Sequence, residues 1–164
     1  MKKYLLAFLL TALVILSGCR DSRKGRDSQT DIFSFDNISA SFTAEFGKTE
    51  ASGDFYFSQE ELRLEFKKPE IISSLILCAD SDGIGMSYKD VEIKKDLSSV
   101  TKTFFVSEIY CVLNNARENG AVEKDGENKL ISGENYSLTL DPSGRVTKIL
   151  IPDKNIKISL FYGE

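Results

Sequence analysis

The most informative absence in this sequence is histidine, which does not occur once in 164 residues. Without histidine, a serine or cysteine nucleophile cannot be activated by an imidazole base. The commonest zinc and non-haem iron ligand sets are excluded as well. Adjacent strand carboxylates such as Glu60 and Glu61 point to opposite faces and make no shared acid–base site. We therefore expect a protein that is not an enzyme and that needs no metal or other cofactor.

Long apolar segments are also lacking. The longest runs from Leu5 to Leu16, which is 12 residues, whereas a membrane-spanning helix needs roughly 20. Lys2 and Lys3 precede this segment, and Leu16-Ser17-Gly18-Cys19 follows it. A positive start, an apolar middle and small residues before a cleavage point are typical of an export signal. The sequence therefore favours a cleaved signal over a permanent transmembrane helix.

The cysteine at the end of this segment resembles the lipobox of bacterial lipoproteins. The resemblance implies cleavage before Cys19, a diacylglyceryl group on its sulfur and, in many species, a further acyl chain such as palmitate on its amine. Two or more acyl chains hold a protein stably on a membrane, whereas one does not. We expect residues 1–18 to be a lipoprotein signal peptide and Cys19 to be the lipidation site. The protein would then be lipid-anchored to a cell membrane on the exported side.

The segment after the lipobox has no apolar side chain from Arg20 to Thr30. It cannot bury anything, so residues 19–30 are expected to be the lipidated cysteine and a flexible tether. Residues 31–164 are enough for one domain. Removing Lys2 and Lys3 lowers the 21 basic residues to 19, against 25 acidic ones, which gives a net charge of −6. An acidic chain is a poor candidate for binding nucleic acid, and nothing indicates an oligomeric state.

Two further cysteines, Cys78 and Cys111, remain in the domain. Exported compartments permit disulfides, so one interpretation is a bond between them. The other is that both are free, buried and act as small apolar side chains. The sequence leaves both interpretations open, because it does not show whether the two residues are close.

Apolar and polar residues alternate with a period of two over most of the domain. Phe42, Ala44 and Phe46, for example, are separated by Thr43 and Glu45. This alternation is typical of antiparallel strands with one buried and one solvated face. The same pattern recurs in Phe55-Tyr56-Phe57, Leu62 to Phe66, Tyr136 to Leu140 and Ile156 to Leu160.

Four features interrupt the first set of strands. Pro69 should end the third strand, since it cannot donate to the sheet. Leu75 to Ala79 is a continuous apolar run and predicts a strand buried on both faces. Asp80-Ser81-Asp82-Gly83 predicts a turn; it lacks the later oxygen ligands of a calcium-binding loop. The alternating apolar residues then change from even-numbered to odd-numbered positions near Lys89-Asp90, which predicts a bulge or break.

One segment has the period of a helix. Phe105, Ile109, Val112, Leu113 and Ala116 fall on one side of a helix of about three turns. This predicts an amphipathic helix that packs on the sheet, with Thr101 or Thr103 as its cap and Asn114-Asn115, Asn119 and Gly120 as its stop signals. The expected fold class is therefore α+β, mostly β. An antiparallel incomplete barrel would wrap around one or two helices.

Gly53-Asp54-Phe55-Tyr56-Phe57, followed by Arg63 to Glu70 and the turn at Ser81-Asp82-Gly83, resembles the LolA/LolB family of lipoprotein carriers. The resemblance covers Ser39 to Phe161. It implies an incomplete barrel that cups a hydrophobic cavity and binds acyl chains. Arg63 corresponds loosely to an arginine of that family, and its alternative role is an outward-facing strand residue paired with Glu65 or Glu61.

Two function classes follow. In the first, a membrane-tethered half-barrel binds a lipid, an acyl chain or a lipoprotein in its cavity. In the second, the same fold has a filled core and acts as a structural or protein-interaction lipoprotein of the cell envelope. The residues expected to line the cavity in the first case are Phe42, Phe55, Phe57, Leu62, Leu64, Phe66, Leu75 and Leu77.

Overall fold

The computed structural model describes residues 36–96 and 104–163. The expected signal peptide, Cys19, the tether and the start of the domain lie outside these residues. Within them, eleven strands and one long helix follow one another along the chain. They are β1 (Asn37–Phe46), β2 (Thr49–Ser58), β3 (Glu61–Lys68), β4 (Leu75–Asp80), β5 (Gly83–Tyr88), β6 (Val91–Asp96), α1 (Phe105–Asn119), β7 (Ala121–Asp125), β8 (Asn128–Ser132), β9 (Ser137–Leu140), β10 (Val146–Ile151) and β11 (Ile156–Phe161).

The strands form one antiparallel sheet in the order β6-β5-β4-β3-β2-β1-β11-β10-β9-β8-β7. Every strand pairs with its neighbours in sequence except β6 and β7, which form the two edges, and β1 pairs with β11 to join the two halves at the centre of the sheet. The sheet is open and does not close into a barrel. The expected fold class, mostly β with an incomplete antiparallel barrel around a helix, is confirmed; the described part of the chain has a single α-helix and two short 3-10 helices, Glu70–Ile72 and Pro152–Lys154.

Alternating burial gives the sheet two distinct faces. In β1, Ile38, Ala40, Phe42 and Ala44 are buried, while every residue between them is exposed. Burying these side chains on one side stabilises the sheet by roughly 25 cal/mol for each Å² of apolar surface removed from water. We call the face that carries these side chains the inner face and the opposite one the outer face. The inner face of most of the sheet joins one continuous apolar core.

Helix α1 covers the inner face, as its amphipathic pattern predicts. Ile109, Val112, Leu113 and Ala116 are all buried. Phe105 is only partly buried, but its ring centroid lies 4.4 Å from that of Phe46. The helix contacts β4 and β3 more than any other strand. A helix that is apolar on one side depends on packing that side against another element, because a short helix is only marginally stable on its own.

The ends of α1 differ from the expectation. The residue before the helix is Phe104, which makes no side-chain cap; Thr101 and Thr103 lie outside the described residues. At the other end Gly120 has an ordinary φ of −66°, so it is not a left-handed stop. A Cβ at Gly120 would come within 2.2 Å of the carbonyl oxygen of Ala116 and 2.6 Å of Ile131. The glycine therefore serves close packing of the helix end against β8.

The prediction that Leu75 to Ala79 is buried on both faces is wrong. Leu77 and Ala79 are buried, whereas Ile76 and Cys78 are only partly buried. The reason is that α1 covers only one side of the sheet. The predicted break at Lys89-Asp90 is a two-residue turn, because Tyr88 pairs directly with Val91 across it.

The two cysteines of the domain are free, so the disulfide interpretation is wrong. Cys78 alternates with the buried Leu77 and Ala79 and therefore lies on the outer face, whereas α1 packs on the inner face. Cys111 is exposed, which also contradicts the alternative that both are buried. Burial raises the pKa of each thiol above its ordinary value, so both favour the unreactive protonated form.

Candidate functional site

The eight residues expected to line a cavity lie on the inner face, but seven of them are core residues. Phe42, Phe55, Phe57, Leu62, Leu64, Phe66 and Leu77 are each at most 3% exposed. The ring of Phe42 meets that of Phe66 edge-on at 5.5 Å, and the same cluster contains Ile109 and Leu113 of α1. Only Leu75 is partly accessible. The sequence therefore identifies the face but not its accessible part.

The accessible part of the inner face lies toward the β6 edge. Two cross-strand rows lead there, Leu75–Tyr88–Val91 and Leu77–Met86–Ile93. Exposure rises along the second row from 3% at Leu77 to 40% at Ile93, and Val91 at the end of the first row is 58% exposed. We call Leu75, Met86, Tyr88, Val91 and Ile93 the apolar strip.

The strip is extended at one end by the turn between β3 and β4. Ile71 in that turn is 81% exposed, and the hydroxyl of Tyr88 donates to its carbonyl oxygen at 3.3 Å. A lysine stands beside the strip, with the Nζ of Lys89 5.1 Å from the centroid of the Tyr88 ring. Lys95 is opposite Ile84 in the next row of the same face. The apolar strip is thus bordered by the positively charged side chains of Lys89 and Lys95.

Sequence reasoning did not select Met86, Tyr88, Val91 or Ile93. The signal was present, because the apolar residues of both strands alternate. A two-residue turn at Lys89-Asp90 keeps Tyr88 and Val91 on the same face. What the sequence could not show is that β6 would be the edge of the sheet.

The outer face has a different character. One groove on this face has a volume of about 850 Å³, and its lining includes the charged residues Glu45, Glu50 and Lys67. Arg63 is paired with Glu65 at 2.7 Å, so the expectation of an outward-facing, paired arginine is confirmed. Paired charged side chains of this kind do not favour the binding of an apolar ligand, because burying charged groups costs free energy.

The Asp80-Ser81-Asp82-Gly83 segment is the turn that the sequence predicts. The Oδ1 atom of Asp80 accepts hydrogen bonds from the backbone N–H groups of Asp82 at 2.8 Å and Gly83 at 2.7 Å. Burial alone would raise the pKa of Asp80, but these bonds and Lys94 lower it. Among the described residues, no group of three or more potential ligands is placed to hold a metal ion. The carboxylate thus serves the turn.

The fold and this surface together define an open antiparallel half-barrel with one helix on its inner face and an accessible apolar strip near one edge. No family model matches the sequence, and no curated protein matches it. The chain is similar to an uncharacterized conserved protein from Thermus thermophilus, with 9% identity, 74% of each chain covered and a TM-score of 0.44. It is also similar to a LolA superfamily protein from Nitrosomonas europaea. There the identity is 10%, the coverage 80% of this chain and 86% of the other, and the TM-score 0.37.

Proposed function

We propose that this protein is an exported lipoprotein, anchored to a cell membrane through Cys19, whose half-barrel binds an apolar ligand. The ligand is a lipid, an acyl chain or an acylated protein, and it lies along the apolar strip on the inner face. In this proposal the protein is a binding protein and not an enzyme, and it uses neither metal nor cofactor.

The observation that carries the proposal is the rise in exposure along the rows that end at Val91 and Ile93. Apolar side chains at the edge of a soluble sheet are a liability unless something covers them. Each methylene that a ligand buries there contributes about 0.8 kcal/mol. An acyl chain can therefore bind without any catalytic or charged partner.

The anchor supplies the geometry for such a role. The segment from Arg20 to Thr30 has no apolar residue. A flexible linker of this length spans roughly 15–20 Å on average. It would keep the half-barrel close to the membrane from which a lipid would come. Among the described residues, no helix is long and apolar enough to cross a membrane.

The test is lipid binding by the purified full-length protein, measured by native mass spectrometry while a single-chain lipid is titrated. We expect saturable one-to-one binding. Ile93→Asp should weaken it by at least about tenfold, because a carboxylate would face the acyl chain. Glu92→Gln is the matched control, since Glu92 lies on the outer face of the same strand and should change nothing. Binding that never saturates would contradict the proposal.

A second candidate is a protein-interaction lipoprotein with a filled core. The observation in its favour is that seven of the eight expected cavity residues are buried in one cluster. In that case the apolar strip would be covered by a protein partner, and no lipid would bind to the purified protein. The same titration therefore decides between the two candidates.

A further inference from the structure

Two polar atoms on α1 are withdrawn from solvent without compensation. Within the part of the chain that the structure describes, neither the Oδ1 atom of Asn114 nor the Nη1 atom of Arg117 has a hydrogen-bond partner. Leaving a buried polar group unpaired costs about 1–3 kcal/mol, and more when the group is charged. Native proteins rarely tolerate this, so two such atoms on one helix call for a partner, either an ordered water or a ligand.

Both atoms belong to the same side of the helix. Tyr110, Asn114 and Arg117 are spaced at i, i+4 and i+7, which places them one above the other. Tyr110 shows where that side is directed. Its ring centroid lies 6.4 Å from that of Phe57, and its hydroxyl donates to the carbonyl oxygen of Glu60 at 3.5 Å. The side therefore faces the hairpin between β2 and β3, next to the buried stripe of α1.

The two unpaired atoms need opposite kinds of hydrogen-bond partner. The guanidinium of Arg117 is a donor and a permanent cation, which suits the oxygen of a phosphate or carboxylate. Oδ1 of Asn114 is an acceptor and needs a donor. A carboxylate alone would satisfy only the arginine, and an uncharged hydroxyl only the asparagine. A phosphate with a hydroxyl or ammonium group beside it satisfies both.

We infer that Asn114 and Arg117 bind the polar head of an amphiphile, namely a phosphate carrying an adjacent hydroxyl or ammonium donor. This inference rests on the proposed function, because the amphiphile is the apolar ligand whose acyl chain is proposed to lie along the apolar strip. It adds a headgroup preference that the apolar strip by itself does not have. Phospholipids are the source of this chemistry next to a membrane, and a free glycerol phosphate is the soluble one.

The experiment compares four probes on the full-length protein by native mass spectrometry. Three carry the same acyl chain: lysophosphatidylglycerol, the free fatty acid and the monoacylglycerol. The fourth is glycerol phosphate without a chain. We expect lysophosphatidylglycerol to bind tightest and glycerol phosphate at least about a hundredfold more weakly, because each methylene lost weakens binding about fourfold.

Arg117→Met and Asn114→Leu keep the shape of each side chain and remove its polar function. Arg117→Met should weaken lysophosphatidylglycerol and the fatty acid by about tenfold or more, the size typical of a charged hydrogen bond, and leave the monoacylglycerol unchanged. Asn114→Leu should weaken lysophosphatidylglycerol and the monoacylglycerol but not the fatty acid. Arg63→Met, which removes the same charge from the outer face, is the matched control.

A structural role for the pair makes a different prediction. Removing a partly buried guanidinium whose Nη1 atom is unpaired should leave the melting temperature of the empty protein unchanged or higher, so a large drop in Arg117→Met would overturn the inference. Equal weakening of all three lipids, or of none, would overturn it too, while the proposed function would stand. If no lipid binds the wild-type protein saturably, the proposed function fails and the headgroup inference fails with it. Tight binding of chainless glycerol phosphate would instead assign the pair to a soluble ligand.

Discussion

Cys19 is the residue on which the cellular location depends. We predict that Cys19→Ala abolishes metabolic labelling with a fatty-acid analogue, because the thiol that accepts the diacylglyceryl group is gone. The precursor should also remain uncleaved, which a shift in mass on a denaturing gel would show. Cys78→Ala is the control, since that thiol is in the folded domain and should label normally. Labelling that persists in Cys19→Ala would place the acyl chain elsewhere.

Asp141 is a described carboxylate that accepts three hydrogen bonds. Its Oδ1 accepts from Ser143 Oγ at 2.6 Å and from the backbone N–H of Arg145 at 3.0 Å, and its Oδ2 accepts from the Arg145 side chain at 2.8 Å. Burial alone would raise the pKa of Asp141, but these bonds outweigh it and lower the pKa to about 2. The network holds the turn between β9 and β10.

We predict that Asp141→Asn lowers the free energy of unfolding at pH 7 by roughly 1 kcal/mol, after allowance for solvent screening. A carboxyl with a lowered folded-state pKa stabilises above its unfolded pKa, which is about 3.9. That stabilisation is lost as the pH falls from about 4 to 2. Urea unfolding at pH 7 and at pH 2.5 should therefore show the gap between variant and wild type closing. A difference in the free energy of unfolding that is the same at both pH values would mean that the carboxylate charge contributes nothing. The control is Asp90→Asn in the exposed β5–β6 turn.

Among the elements, α1 decides whether the inner face is covered. Ile109 is fully buried at the centre of its apolar side. We predict that Ile109→Asp lowers the free energy of unfolding by at least about 3 kcal/mol, because an unpaired charge would enter the core. Cys111→Asp puts the same group on the exposed side of the same helix and should cost about 1 kcal/mol or less.

The measurement is thermal unfolding followed by circular dichroism. Where Ile109→Asp does not accumulate in cells, Ile109→Ala serves instead and should cost about 2–4 kcal/mol through the cavity it leaves. Similar melting temperatures for Ile109→Asp and Cys111→Asp would mean that α1 does not pack on the sheet through this face.

The elements also show how far the sequence determines the fold. The helix is predictable because its apolar residues recur every three or four positions, although its cap is Phe104 and not one of the expected threonines. The strand after Pro69 is misjudged, since Leu75 to Ala79 is apolar throughout and nothing local tells which side the helix covers. The pairing of β1 with β11 joins Phe46 to Ile156. Contacts of such sequence separation leave no mark in the local pattern.

The site is less predictable than the fold for the same reason. Phe42 and Leu64 are as apolar as Val91 and Ile93, so burial preference cannot separate core from ligand surface. The difference is position: Val91 and Ile93 belong to β6 at the edge of the sheet, whereas α1 packs mainly on β4 and β3. Arg117 gives no signal, because charged side chains are ordinary on a helix surface, and Asn114 is an expected stop signal although the helix continues to Asn119.

At the scale of the whole molecule, an open sheet with an accessible apolar strip should be more stable when the strip is occupied. A ligand that binds only the folded state at a hundred times its dissociation constant adds about 2.7 kcal/mol to the free energy of unfolding. For a domain of this size we predict a rise in melting temperature on the order of 10 °C with saturating lysophosphatidylglycerol.

Ile93→Asp should lose most of this rise, because its carboxylate faces the strip, whereas Glu92→Gln should keep it. The two variants differ in which face of one strand they alter, so a general detergent effect of the lipid would act on both alike. An equal rise in both variants would therefore show that the lipid stabilises the protein without occupying the strip. A rise that is absent from the wild type as well would favour a protein partner as what covers Val91 and Ile93.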